Sequence, residues 1–253
     1  LDIRLNVNRL ADAARPWDRM LMAIEDFTAE RQAQEAARSN EAYALGLFEL
    51  SPVSLWVEDF SEVKAMLDEV RARGITDFRT FVDVHPEFVL SCMERIRVVD
   101  VNRQTLALFG ARSKEELLGR LADIFRDEMA RSFTEQLIDC WQGKLLQTRE
   151  TLNYGLQGDA IHLHMQWAVL PGHEEQWDLV QVALTDITAR KKAEAYLEYL
   201  GKHDALTKLR NRAFYDDEIT RLNRRGPFPV GVLAVDLNGL KGVNDELGHA
   251  AGD

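Results

Sequence analysis

Apolar Leu1, Ile3, Leu5 and Val7 alternate with polar Asp2, Arg4, Asn6 and Asn8. The same phase returns downstream, where Ile161, Leu163, Met165 and Trp167 alternate with His162, His164, Gln166 and Ala168. Period-two alternation marks a strand that buries one face. One offset of 160 (from 17 to 177) relates the two stretches. Trp17-Asp18 recurs as Trp177-Asp178, Asp26-Phe27-Thr28-Ala29 as Asp186-Ile187-Thr188-Ala189, and Ala23 and Ala33 as Ala183 and Ala193. Each copy reads strand, loop, strand, helix. A repeat bears on the domain count before any single element does. Residues 1–28 therefore read as the tail of one domain, and a complete second copy ends near Thr188.

Between the copies, the Ala-, Glu-, Gln- and Arg-rich run 29–48 predicts a helix. Ser51-Pro52 breaks it, because the residue before proline is pushed out of the helical region. A strand starts at Leu55-Trp56-Val57. An amphipathic helix comes next over 61–73, with Val63, Met66, Leu67 and Val70 on one face and Gly74 as its stop. A second helix is predicted over 86–95 and a strand over 95–102, whose Asn102 is placed to cap a helix running through Phe109. Ser113 and Glu116 have the spacing of a capping box. A longer helix over 125–142 closes at Gly143. Three strands over 145–156, 160–170 and 177–185 are divided by Gln157-Gly158-Asp159 and by Pro171-Gly172. One strand, short helices, one long helix and three antiparallel strands make an α+β domain with a single sheet and helices on one face.

The run 186–204 connects this domain to the C-terminal segment. Asp186 and Thr188 offer capping oxygens, and Ala193, Leu197 and Leu200 form a narrow apolar stripe among Arg190, Lys191, Lys192, Glu194 and Glu198. So narrow a stripe suits a partner helix, although a surface helix packed on its own domain has the same pattern. Further on, an apolar strand over 229–236 ends in Asp236. Asn238-Gly239 makes a turn, and 240–247 reads as a helix closed by Gly248. A carboxylate beside a tight turn and a helix N-terminus is a site for Mg²⁺ and phosphates, and Lys241 adds a point charge.

The composition, 46% hydrophobic and 29% charged over 253 residues, is that of a globular protein with room for two domains. Forty-two acidic against 31 basic residues give a net charge of −11, with no basic stripe, which argues against nucleic acid as a partner. Cys92 and Cys140 provide neither a disulfide framework nor metal-ligand spacing, as fits a reducing cytoplasm. No apolar run nears the ~18 residues of a membrane span. The chain begins at Leu1 in mid-alternation, as a fragment would, so an anchor upstream stays open.

The stretch 95–110, where a strand gives way to Asp100-Val101-Asn102 and then Leu108-Phe109-Gly110, resembles a PAS domain, as does the closing Asp186-Ile187-Thr188. The resemblance covers 49–188 and, for its final third, 1–28. Such domains hold haem, flavin, small metabolites or nothing. Neither cysteine stands in the Asn-Cys-Arg context of covalent flavin chemistry, and His162, His164 and His85 make no convincing haem ligand, so neither cofactor is expected. A pocket would be lined by Ile161, Leu163, Met165 and Trp167 with Val180, Val182 and Leu184, although these residues filling the core is the favoured expectation. The signal, a small molecule or a protein, is not named by the sequence.

The stretches HDALTKLRNR (203–212) and DLNGLKGVNDELGHAAGD (236–253) resemble the front half of a GGDEF domain, the diguanylate cyclase fold. The resemblance places Asp236 at the first metal ligand, Lys241 at a phosphate contact, Asn244 and Asp253 at guanine-reading positions, and His249 in a structural role. Asn238 belongs to the same GTP-binding set, although a second Asp often stands there. Lys208 and Arg210 replace a common Gly and Pro, which is expected to matter little. The implied organisation is a first PAS-like tail (1–28), a linker helix (29–48), a PAS-like sensor (49–188), a signalling helix (189–203) and a GGDEF segment (204–253). The implied function is a sensor-regulated diguanylate cyclase, joining two GTP with Mg²⁺ and acting as a homodimer through its signalling helices. This chain itself is expected to be inactive, because the Gly-Gly-Asp/Glu-Glu-Phe loop is not in it. The rival is a non-catalytic scaffold, with a degenerate GTP-binding domain or one coupled to a cyclic di-GMP phosphodiesterase. A histidine kinase would need a phosphoacceptor box after the connector, and His203 lies in the cyclase-like opening instead.

Overall fold

The computed structural model describes residues 2–9, 20–126, 129–226, 228–236 and 238–248. They fall into two compact units, Leu1–Asp186 and Ile187–Asp253. Trp17, Asp18, His249 and Asp253 lie outside the described residues.

The first unit opens with a hairpin of β1 (Ile3–Arg9) and β2 (Met20–Asp26), in which Ile3 stands opposite Asp26 and Arg9 opposite Met20. The Asp26 carboxylate accepts from the backbone N–H and hydroxyl of Thr28 (3.0 and 2.6 Å), which hold it below the usual carboxylate range. The Thr28 hydroxyl accepts in turn from Asp2 N–H (2.7 Å). Helix α1 (Thr28–Glu49) starts from this knot, and none of its residues is buried.

The main domain runs β3 (Ser54–Asp59), α2 (Ser61–Ala72), α3 (Phe78–Val84), α4 (Pro86–Arg95), β4 (Arg97–Val101), α5 (Arg103–Phe109), α6 (Lys114–Gly119), α7 (Leu121–Ile124), α8 (Met129–Trp141), β5 (Leu146–Tyr154), β6 (Ala160–Val169) and β7 (Val180–Asp186). Its antiparallel sheet has the order β4-β3-β7-β6-β5. On β6 the residues Ile161, Leu163, Met165, Trp167 and Val169 are buried while those between are not, so one sheet face carries the core, as the alternation predicts. The hairpin repeats the pairing of β6 with β7 residue for residue. Leu163 faces Asp186 and Val169 faces Val180, the register of β1 and β2 shifted by the sequence offset.

Three boundaries differ from the sequence expectation. Helix α3 was not predicted; Asp77 caps it by accepting from Thr80 N–H (3.1 Å). The long helix begins only at Met129, with α7 a separate turn before it. Trp177 adopts a left-handed φ of 56°, so β7 starts at Val180.

Aromatic side chains fill much of the core. Trp56 meets Phe109 edge-on at 5.8 Å, Phe60 meets Trp167 at 5.4 Å, and Phe78 stacks on Trp141 at 4.5 Å. Asn102 is fully buried and fully bonded. Its Oδ1 accepts from Leu55 N–H and from the N–H and hydroxyl of Thr105, and its Nδ2 donates to the carbonyls of Phe48 and Val53. The predicted cap is therefore also the pin that ties the end of α1, β3 and α5 together.

The second unit contains α9 (Thr188–Lys202), α10 (Arg212–Arg225) and α11 (Leu240–Leu247). Asn211 joins the first two. Its Oδ1 caps α10 by accepting from Phe214 N–H (2.9 Å), and its Nδ2 donates to the Gly201 carbonyl at the end of α9 (3.0 Å). Inside that corner the Asp204 carboxylate accepts from the N–H and hydroxyl of Thr207, both at 2.8 Å. Lys208 is left-handed at φ 60°. A Gly is common there because only Gly adopts this backbone without cost, so the lysine is not the neutral departure expected of it. The strand predicted over 229–236 is absent among the described residues. Val230, Val232, Leu233 and Val235 are exposed instead, since no described segment of this unit pairs with them.

Candidate functional site

The first unit has a cavity of about 310 Å³, partly open to solvent, between the core face of the sheet and α4, α7 and α8. Met165, Trp167, Val182 and Leu184 line it, whereas Ile161, Leu163 and Val180 are buried in the core outside the lining. The expectation that this apolar set simply fills the core is therefore incomplete. Strand phase says which side chains face inward, but not how far the helices stand off from the sheet. Trp56, Phe60, Phe125 and Phe133 complete an aromatic wall. The polar lining was not foreseen: Glu58, Glu94, Gln136, Thr151 and Asn153. Glu58 was missed because it sits on the inward phase of β3, after Ser54 and Trp56, where an apolar residue is the norm. Burial pushes its carboxyl up to about 7. Cys92 and Cys140 are buried free thiols, each pushed up to about 12 by burial, which makes them inert. His162 and His164 stand on the strand phase opposite to the cavity.

In the second unit the candidate nucleotide residues cluster in sequence around one turn. Asp236 and Asn238 are exposed, Gly239 is left-handed at φ 85° and opens α11, and Lys241 is exposed on its first turn. Asn244 is half-buried, and its Oδ1 is buried without a hydrogen-bond partner. The turn and helix thus form as predicted, with an open N-terminus suited to anionic oxygens. As to a cation, Asp236 is the right hard oxygen donor. Among the described residues no group of three carboxylates, histidines or cysteines surrounds it, so this segment offers a cation one ligand of a larger set.

Comparison with known proteins separates the two units. The diguanylate cyclase GGDEF domain model matches residues 201–253. Residues 201–253, the larger part of the second unit, are similar to the start of a GGDEF domain. The chain is similar to curated proteins as well: 42% identity over 62 residues with the diguanylate cyclase TpbB of Pseudomonas aeruginosa, covering 23% of this chain and 14% of that protein. A probable diguanylate cyclase of Escherichia coli, DgcE, is 35% identical over 79 residues, 28% of this chain and 7% of its own. An uncharacterized protein of Mycobacterium tuberculosis is 45% identical over 85 residues, 32% of this chain and 14% of its own. The chain thus spans about one seventh or less of the length of these relatives. Within the matched residues HDALTKLRNR forms the Asn211 corner, and residues 238–248 form the Gly239 turn and α11.

The main domain of the first unit is PAS-like in architecture, with one five-stranded antiparallel sheet and helices between its strands. The PAS domain of an HTR-like protein from Haloarcula marismortui aligns with 62% of this chain and 99% of its own at 16% identity, with a TM-score of 0.39. No described helix is long and apolar enough to cross a membrane.

Proposed function

We propose that the intact protein is a diguanylate cyclase, converting two GTP to cyclic di-GMP, under the control of its PAS-like domain. The match of the diguanylate cyclase domain to residues 201–253 carries this reading. Asp236, Asn238, Lys241 and Asn244 supply the metal- and GTP-facing groups of this segment, and Asp253 completes the guanine-reading set. The unpartnered Asn244 Oδ1 supports that role, because a buried amide oxygen without a donor suits the N–H edge of guanine. The reaction would use Mg²⁺, to which this segment offers Asp236.

The hairpin β1–β2 reads as the closing pair of a first PAS-like copy, since it has the register of β6–β7. The signal reaches the cyclase through α9, whose Ala193, Leu197 and Leu200 are all exposed and are taken as the seam of a homodimer. Full-length protein incubated with GTP and Mg²⁺ is expected to form cyclic di-GMP, detected by mass spectrometry, and Asp236→Ala to abolish it. GTP binding with no product in the wild type would instead leave a GTP-binding scaffold.

A further inference from the structure

Two carboxylates, Glu58 and Glu94, line the cavity of the first unit, and the described lining contains no Lys, Arg or His. Glu94 is exposed, whereas Glu58 is half-buried on the core face of β3. No hydrogen bond or ion pair of the described residues reaches the Glu58 side chain, whereas its backbone pairs in the sheet with Val98 and Val180. An ionised carboxylate removed from water without a partner is costly, so buried ones are found paired.

The flanks of Glu58 are aromatic. Trp56 lies two residues away on the same face. Trp167 shares the register row of Trp56, since both stand opposite Val182. Phe60 packs edge-on against Trp167 at 5.4 Å. The Asn153 Oδ1 atom, an acceptor, is buried and unpartnered on the cavity lining, whereas the unpartnered Trp167 Nε1 is a donor and takes no bond from an ammonium. Ring faces attract cations, and an ammonium donates to carboxylate and amide oxygens alike. An anionic ligand would meet two carboxylates and no cation. The cavity volume lies at the lower end of small-molecule pockets.

We propose that the ligand of this domain is a small organic cation, a protonated amine on an apolar body, with its head at Glu58 and its body against the aromatic wall. The proposal rests on reading this domain as the sensor, and its test requires no cyclase activity.

Isothermal titration of the 253-residue chain would compare 2-phenylethylamine with two probes of like shape, 2-phenylethanol and phenylacetate. The amine is expected to bind at least tenfold tighter than either. Glu58→Gln should remove that preference while melting no lower than wild type, and Glu58→Asp should retain it. Equal binding of the three probes, a preference that survives Glu58→Gln, or no binding by any of them would overturn the proposal. The cyclase reading would stand in each of these cases.

Discussion

Glu58, Asn102 and Lys208 each do something that their neighbours in sequence do not announce. Glu58 is a carboxyl on the inward phase of a strand, and burial raises it to about 7 from an ordinary 4.5. The folded protein therefore holds that proton more tightly than the unfolded chain. Its stabilising effect is complete below about 4.5 and is lost as the pH rises through about 7, by about 3 kcal/mol at most. Glu94 is the other ionisable group on the described cavity lining. Urea unfolding followed by tryptophan fluorescence should show wild type losing stability between pH 5 and pH 8 relative to Glu58→Gln. Parallel curves for the two proteins would contradict the burial argument. Asn102→Ala strips bonds from Leu55 N–H and from the Phe48 and Val53 carbonyls and should cost about 2–4 kcal/mol in the same assay, whereas a surface asparagine costs within about 0.5. Lys208→Gly should relieve a left-handed lysine and stabilise the corner by about 0.5–1 kcal/mol. Slower hydrogen exchange at the bonded amides of Asp204 and Asn211 would report it, and faster exchange would show that the lysine side chain holds the turn.

Among the elements, those with an unambiguous local signal were legible in the sequence. The strand β6 was predicted from alternation, and the helix at 240–247 from its flanking glycines. The cap at Asn102 and the helix start at Pro86 were legible for the same reason. Elements that depend on distant partners were not. The stretch 229–236 has the composition of a buried strand, but a strand exists only in a ladder, and no described segment of its unit provides one. Helix α3 lacks a strong periodic signature over seven residues and is held by aromatic contacts such as Phe78 on Trp141. The cavity was invisible because its volume depends on how α4, α7 and α8 stand over the sheet. The repeat was legible, and the structure adds that the two copies share their register while differing in burial. Ile3, Leu5, Met22 and Ile24 are 45–65% exposed, where their counterparts Leu163, Met165, Val182 and Leu184 are buried. On α9, the exposed Leu197 (66%) makes a direct test possible. Leu197→Asp in the intact protein should uncouple or abolish cyclase activity and leave the near-ultraviolet circular dichroism of the sensor unchanged. Wild-type activity and regulation in that variant would remove the stripe from the account.

At the scale of the whole molecule, the proposal is that a sensor and a cyclase communicate through one exposed helix. The Asn211 amide links the end of α9 to the start of α10, so a displacement of the helix is delivered to the first element of the GGDEF domain rather than absorbed in a loose linker. Ala193, Leu197 and Leu200 have the four-then-three spacing of a coiled-coil seam. Such a seam tolerates whole heptads but not fractions of one. The most direct test is the rate of cyclic di-GMP formation by the full-length protein with four or seven residues inserted in α9 after Leu200. The account predicts that the four-residue insertion abolishes or deregulates the activity and that the seven-residue insertion restores it. Equal, regulated activity in wild type and both insertions would contradict it, because the output domain would then be indifferent to the phase of the helix that precedes it.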